Sequence, residues 1–276
     1  MWVGMLDGRF LWEDTMAKKL IFIDMDGTLI DHKVNQIPPS ALEAIRQLKN
    51  AGHICAIATG RCPSLLYGFD QKAGIDYVIA SNGRYVRARE EVIHLDTMPE
   101  ERVRALSEAL LEHRIGFAFQ TADRYVAKAL FGDAHEKFAT LFNEEVPVLE
   151  PDYPGYDQVL QIIIYTEEAL PTVVLEAFED FSFVQSCPYG YDLNRGGGLK
   201  EVGVKILRER LNVAIEDTIA VGDGRNDISM FHYVHTSIAM GNAIEEVKAS
   251  ATMVTKPVDE DGLFHAFEQL KLIKKV

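Results

Sequence analysis

The feature that most constrains this chain is Leu20-Ile21-Phe22-Ile23, a short, wholly apolar run that stops at Asp24-Met25-Asp26-Gly27-Thr28. A strand apolar at every position is covered on both faces, the condition of a strand inside a parallel sheet flanked by helices. Ligands of open sheets of that kind bind beyond the carboxyl ends of the strands, so the acidic turn stands where a ligand is expected. The pattern recurs. His53-Ile54-Cys55-Ala56-Ile57-Ala58 runs into Thr59-Gly60-Arg61, and Tyr77-Val78-Ile79-Ala80 into Ser81-Asn82-Gly83. Thr218-Ile219-Ala220-Val221 runs into Gly222-Asp223, and Ser237-Ile238-Ala239-Met240 into Gly241-Asn242. Pro38-Pro39 precede Ala41, Ala44, Ile45 and Leu48 at helical spacing, with Gly52 as a stop, and Leu199 to Leu211 reads as a further helix. Strand and helix in alternation predict an α/β fold built on a doubly wound parallel sheet.

Between residues 84 and 190 the pattern changes. Tyr85 to Arg87 and Val92 to Leu95 read as a hairpin and Pro99 to His113 as a helix, and short strands such as Gly116 to Gln120 and Val159 to Tyr165 alternate with helices. One domain inserted into a discontinuous core accounts for this, with 18–83 and 191–276 as the core and 84–190 as the insertion. Residues 1–17 read as an N-terminal extension: Asp7, Glu13 and Asp14 stand among aromatics, without the basic and apolar regions of a secretory signal, and Met16 offers an alternative start.

The length of 276 residues, 47% of them hydrophobic, is enough for two domains with real cores. Twenty-eight basic against 42 acidic residues leave a net charge of −14, which repels nucleic acid and anionic membrane surfaces. No apolar stretch approaches the roughly 18 to 20 residues of a membrane span. Cys55, Cys62 and Cys187 are too few and too scattered for a disulfide framework or a zinc cluster, and fit a reducing, cytoplasmic setting.

Four groups of residues carry chemistry. Asp24 and Asp26, one residue apart on a turning loop, can face one small site, with Gly27 permitting the turn. Their hard oxygens suit Mg²⁺, and the pair sets a phosphoryl acceptor beside a proton donor; a plain Asp-Gly turn is the structural alternative. In Gly222-Asp223-Gly224-Arg225-Asn226-Asp227, Asp223 completes the acidic set, while Asn226 and Asp227 open a helix whose N-terminus favours anions. Helix capping is the plainer reading of Asn226. Thr59-Gly60-Arg61 offers a hydroxyl and backbone N–H groups to phosphate oxygens. Lys200, behind Arg195-Gly196-Gly197-Gly198, offers a point positive charge, or is a solvated surface residue. Cys62 invites a redox reading through its neighbour Arg61, against that of a small structural cysteine.

Taken in this order, acid pair, hydroxyl, lysine and acidic loop, the sequence resembles the haloacid dehalogenase (HAD) superfamily. Asp24-x-Asp26-Gly27-Thr28 is similar to its first motif, Thr59 to its second, Lys200 to its third and Gly222-Asp223-x-x-Asn226-Asp227 to its fourth. Ser81-Asn82-Gly83, Ala239-Met240-Gly241-Asn242-Ala243 and Glu260-Asp261-Gly262 resemble the Cof-like branch with a type IIB cap, so the likeness runs from Lys18 to the C-terminus. It implies a Rossmann-like core with an inserted α/β cap, and a phosphatase of small phosphorylated metabolites, sugar phosphates above all.

The resemblance further implies that Asp24 attacks phosphorus and that Asp26 serves as acid and then base. Mg²⁺ would be held by Asp24, the backbone carbonyl of Asp26 and Asp223. Thr59, Lys200, Asn226 and the backbone at Met25 and Gly60 would bind the phosphoryl oxygens, with Asp227 ordering the metal's surroundings or Lys200. The lysine motif usually runs Lys-Gly, whereas here Leu199 precedes and Glu201 follows Lys200; Lys205 is the alternative. Arg61 and Asn82 would contact substrate or cap, and Arg61 is equally open to a structural ion pair. Within the cap, Arg124 and Tyr125, or Tyr189 and Tyr191, are candidates to face the leaving group. Asp26 argues against a dehalogenase or a phosphonatase; a phosphomutase and a non-catalytic metabolite-binding protein stay as alternatives. The expected partner is a small phosphorylated metabolite, with no nucleic acid and no membrane, and the chain is expected to be a monomer or a weak homo-oligomer.

Overall fold

In the structure, a computed structural model that describes residues 18–142, 144–196 and 199–274, the four side chains of Leu20–Ile23 are fully buried. The N-terminal extension lies outside the described residues, as do Gly197 and Gly198 ahead of Lys200. The elements run β1 (Leu20–Ile23), α1 (Pro39–Asn50), β2 (Ile54–Ala58), α2 (Phe69–Ala73), β3 (Tyr77–Ala80), β4 (Tyr85–Ala88), β5 (Glu91–Leu95), α3 (Glu100–Glu112), β6 (Gly116–Gln120), β7 (Tyr125–Ala129), α4 (Ala134–Phe142), β8 (Val148–Leu149) and β9 (Gln161–Tyr165). They continue with α5 (Thr172–Ala177), β10 (Phe181–Cys187), β11 (Gly190–Arg195), α6 (Lys200–Arg210), β12 (Thr218–Gly222), α7 (Ile228–Tyr233), β13 (Thr236–Ala239), α8 (Glu245–Ser250), β14 (Met253–Val254) and α9 (Gly262–Gln269).

Alternation along β1 explains how one strand serves two cores. Ile21 and Ile23 pack with Ala41, Ile45 and Leu48 of α1 and with Leu263 and Phe267 of α9. Leu20 and Phe22 face the other way, toward Val204 and Leu207 of α6, Met230 and Phe231 of α7, and Val247 of α8. The sheet is thus covered on both sides, as a doubly wound fold requires. Its order is β14-β13-β12-β1-β2-β3-β4-β5, parallel from β14 to β3. Strand β1 lies between β2 and β12, so the order reverses there and a crevice opens past its carboxyl end.

The second sheet, ordered β10-β11-β9-β6-β7-β8, is the cap. One face, with Phe117, Phe119, Ile162, Ile164 and Leu193, packs with Val103, Leu106 and Leu110 of α3 and Val174 of α5. The opposite face packs in part on α4 through Phe138.

The domain boundaries move from those expected. The hairpin β4–β5 pairs antiparallel onto β3 and extends the first sheet, so the core continues past residue 83 to Leu95. At the other end β11 pairs with β9 and β10, so the cap continues past residue 190 to Arg195. A hairpin pattern does not state which sheet edge it will extend, which is why the sequence put both boundaries too early. The crossings are tied together by buried Arg84: its guanidinium pairs with Asp96 on the way into the cap (2.5 Å) and donates to the carbonyls of Arg195 and Gly196 on the way out.

Helix α6 carries Lys200 and lies close against β3 and the following turn. A Cβ on Gly203 would stand 2.3 Å from Ile79 Cγ2 and 3.1 Å from Gly83 Cα. Gly203→Ala is therefore expected to destabilise the protein by about 1–3 kcal/mol through overpacking; urea unfolding checks this, with the midpoint lowered and the slope unchanged.

Candidate active site

Past Ile23 the chain stays in register for one residue, the Asp24 N–H donating to the Val221 carbonyl at 2.9 Å, and then turns. The turn buries Met25 in the core, which leaves the flanking Asp24 and Asp26 lining the crevice. Gly27 makes the turn feasible on two grounds: its φ is +79°, and a Cβ there would meet Asp223 Oδ2 at 2.2 Å. Asp223 is fixed from three directions. Its Oδ1 accepts from Thr28 Oγ1 (3.3 Å), its Oδ2 from Asn242 Nδ2 (2.9 Å), and its N–H donates to Asp227 Oδ2 (3.0 Å). Asn242 also donates to the Gly27 carbonyl at 2.9 Å, tying the two acidic loops together.

Lys200, fully buried at the start of α6, donates to Asp24 Oδ1 at 2.5 Å and to Asp227 Oδ1 at 2.6 Å. With Oδ2 of Asp227 accepting the N–H groups of Asp223 and Gly224, that carboxylate is fully engaged. Burial and the charges of Asp227 and Asp223 hold Asp24 well above the usual carboxylate range although Lys200 touches it. Burial, with Asp227, pushes Asp223 up to about 6. Burial works to lower Lys200, and the two carboxylates outweigh it and raise it. Three acids around one ammonium leave an excess of negative charge. Carboxylate oxygens of Asp24, Asp223 and Asp227 lie within 4.8 Å of one another; with Asp227 taken up by Lys200 and the loop N–H groups, the hard oxygens of Asp24 and Asp223 are the ones that fit a divalent cation such as Mg²⁺.

The remaining expected residues surround this cluster. Thr59 is buried and its Oγ1 accepts the Arg61 N–H at 3.0 Å. The N–H groups of Met25 and Gly60 have no hydrogen-bond acceptor among the described residues. Asn226 sits in a 3-10 turn over Arg225–Asp227, ahead of a helix of only six residues, and its Nδ2 donates to Asn82 Oδ1 at 3.2 Å. It makes no cap; Asp227 satisfies the loop N–H groups instead. Arg61 forms the ion pair, its Nε and Nη2 gripping both oxygens of Asp26 at 2.8 and 2.5 Å. Lys205 is exposed, and Lys200 is the lysine of the site. Burial pushes the Cys62 thiol up to about 12, which makes it an inert structural cysteine.

A cavity of about 440 Å³ opens above these groups, between core and cap. The cap residues singled out in the sequence are not on it. Arg124 pairs with Glu150 and lies over the Tyr153 ring, the Tyr125 hydroxyl shares a hydrogen bond with Tyr165, and Tyr189 and Tyr191 pack on the cap sheet. The cap side is formed by Gln120, Phe138, Phe142, Glu144, Gln161, Ile163 and Asp192. No motif carries these residues; the available signal was a glutamine at one end of each of the apolar strands β6 and β9, while Asp192 stands in a strand of mixed polarity.

Residues 21–267 match the sequence profile of the haloacid dehalogenase-like hydrolases, and the chain belongs to that family. It is a phosphatase of HAD type, of the Cof-like branch. Among relatives it is 36% identical over 266 residues to YkrA of Bacillus subtilis (strain 168), covering 94% of this chain and all of that one. Among solved structures it is similar to a protein of Geobacillus kaustophilus HTA426, with a TM-score of 0.88 and 34% identity over 93% of this chain and all of that one. It is also similar to the HAD subclass IIB sugar phosphatase BT4131, with a TM-score of 0.76 and 28% identity over 93% of this chain and all of that one.

Replacing Lys200 by Met strands two buried carboxylates. In the presence of chelator Lys200→Met is expected to lose about 3–5 kcal/mol of stability, the cost of breaking a buried pair from one side; denaturant titration of the two proteins measures it.

Proposed function

We propose that the protein is a Mg²⁺-dependent cytoplasmic phosphatase that releases inorganic phosphate from small phosphorylated metabolites, sugar phosphates foremost, through an aspartyl-phosphate on Asp24. The observation that carries this reading is the state of Asp24. Lys200 orients it through Oδ1, Oδ2 has no hydrogen-bond donor among the described residues, and Asp24 lines the cavity. A carboxylate so fixed is placed to attack without first being stripped of a partner.

In the first half-reaction Asp24 Oδ2 bonds to phosphorus as the bond to the ester oxygen breaks, and Asp26 gives that oxygen its proton. In the second, water attacks the phosphorus of the acyl phosphate, Asp26 takes its proton, and the Asp24 carboxylate is restored. Arg61 holds both oxygens of Asp26, so proton transfer to the leaving oxygen needs the fork to loosen, and the incoming phosphate dianion is a competing partner for the guanidinium. Thr59, Lys200, Asn226 and the N–H groups of Met25 and Gly60 are the donors for the transferring oxygens. When bound by Asp24, the Asp26 carbonyl and Asp223, Mg²⁺ neutralises charge on those oxygens.

Phosphate release from para-nitrophenyl phosphate and a panel of sugar phosphates, with Mg²⁺ and with chelator, tests the reading. Turnover should require the metal and fall by roughly a thousandfold or more in Asp24→Asn. Asp26→Asn should leave at most slow formation of the acyl phosphate. Normal activity in Asp24→Asn would remove the nucleophile from the scheme.

A further inference from the structure

The roof of the cavity comes from one face of the cap sheet. Register sets Gln120 opposite Gln161, and Ile163 opposite Asp192, so all four belong to the side turned toward Asp24 and Asp26. Gln161 is only 8% exposed, lines the cavity, and its amide makes no hydrogen bond among the described residues. With no protein partner among the described residues and a place on the cavity wall, that amide is open to a ligand group set against it. Glu144, from the segment after α4, joins Asp192 in lining the cavity. Asp192 meets Ser186 Oγ through Oδ1 alone, at 3.4 Å.

The charges are one-sided. The roof brings two carboxylates, two amides and apolar Ile163, Phe138 and Phe142, and among the described lining residues it brings no lysine or arginine. Arg61, below, is engaged by Asp26. Burial pushes Glu144 up to about 7 and Asp192 up to about 6, the behaviour of carboxylates with too few compensating donors.

We propose that this roof is a subsite for the alcohol half of the substrate, that it selects hydroxyls and above all a protonated amine, and that it rejects a second anionic group. The inference rests on the phosphatase reading above. An ammonium between Asp192 and Glu144 gains charge-assisted hydrogen bonds, and hydroxyls use the same carboxylates and the Gln120 and Gln161 amides. A carboxylate or second phosphate at that place meets like charge from both carboxylates, and Arg61, the cation of the cavity that acts on Glu144, is already shared between Asp26 and the reactive phosphate. The reactive phosphate itself is served from the floor, by Lys200 and the donors around it.

The test compares kcat/KM, with Mg²⁺, for glucosamine 6-phosphate, glucose 6-phosphate, 6-phosphogluconate and fructose 1,6-bisphosphate, alongside para-nitrophenyl phosphate. Wild type should favour the amine over the two anionic compounds by roughly tenfold or more, with glucose 6-phosphate between. Asp192→Asn should reduce the ratio of glucosamine 6-phosphate to 6-phosphogluconate about tenfold, and Glu144→Gln should reduce it in the same direction. A ratio taken within one variant cancels its folded fraction, so poor folding cannot imitate the result. Equal or faster cleavage of the anionic compounds, an unchanged ratio in both variants, or turnover of para-nitrophenyl phosphate without any of the sugars would overturn the subsite. No release from any of the five compounds would overturn the phosphatase reading itself.

Discussion

The structure of the site depends on one buried ammonium. Lys200 lies between Asp24 and Asp227, and these three residues come from three separate parts of the chain: the end of β1, the start of α6 and the loop after β12. Burying a charge is unfavourable unless it is paired and hydrogen-bonded. The compensation exists only when all three segments are in place, so forming the site and closing the core around β1 are one event. The pair also settles the division of labour among the acids. Asp227 is saturated by Lys200 and two N–H groups, Asp24 keeps one oxygen without a donor among the described residues, and Asp223 is oriented by Thr28 and Asn242.

Around this fixed floor the rest of the molecule is arranged in two layers of constraint. The doubly wound sheet brings two carboxyl-end loops together at its switch point, and the tight approach of Gly203 to Ile79 sets the depth at which α6 delivers Lys200. The cap then stands over the crevice as a second sheet with its own core, joined to the first by two crossings that Arg84 pins to one another. In the proposed function this separates chemistry from selection: the floor would serve the phosphoryl group whatever it is attached to, and the roof would meet what is attached.

Much of the floor was legible along the chain because its residues follow strands whose apolar runs are unmistakable. A turn after a buried strand has one place to go, and Asp24, Thr59 and Asp223 were found for that reason. Lys200 was placed by its order in the motif series and not by its surroundings, since nothing in Leu199-Lys200-Glu201 announces that the ammonium is fully buried. The role of Arg61 needed the structure outright, because a guanidinium next to a phosphate site reads the same whether it grips a carboxylate or a ligand. Asn242 belongs to the Ala239-Met240-Gly241-Asn242-Ala243 motif, yet its bridging of Gly27 and Asp223 depends on β13 lying beside β12.

The sequence by itself determined the fold class, the acid pair, the order of the site residues and the existence of an insertion, because burial on both faces and the turn residues at strand ends are local properties of the chain. Tertiary structure alone decided where the insertion begins and ends, which acid the lysine holds, that Arg61 takes Asp26, and that Gln120, Gln161 and Asp192 face the cavity while Arg124 and Tyr191 do not. Those outcomes depend on which sheet edge a hairpin joins and on strand register, where a shift of one residue turns every side chain to the opposite face.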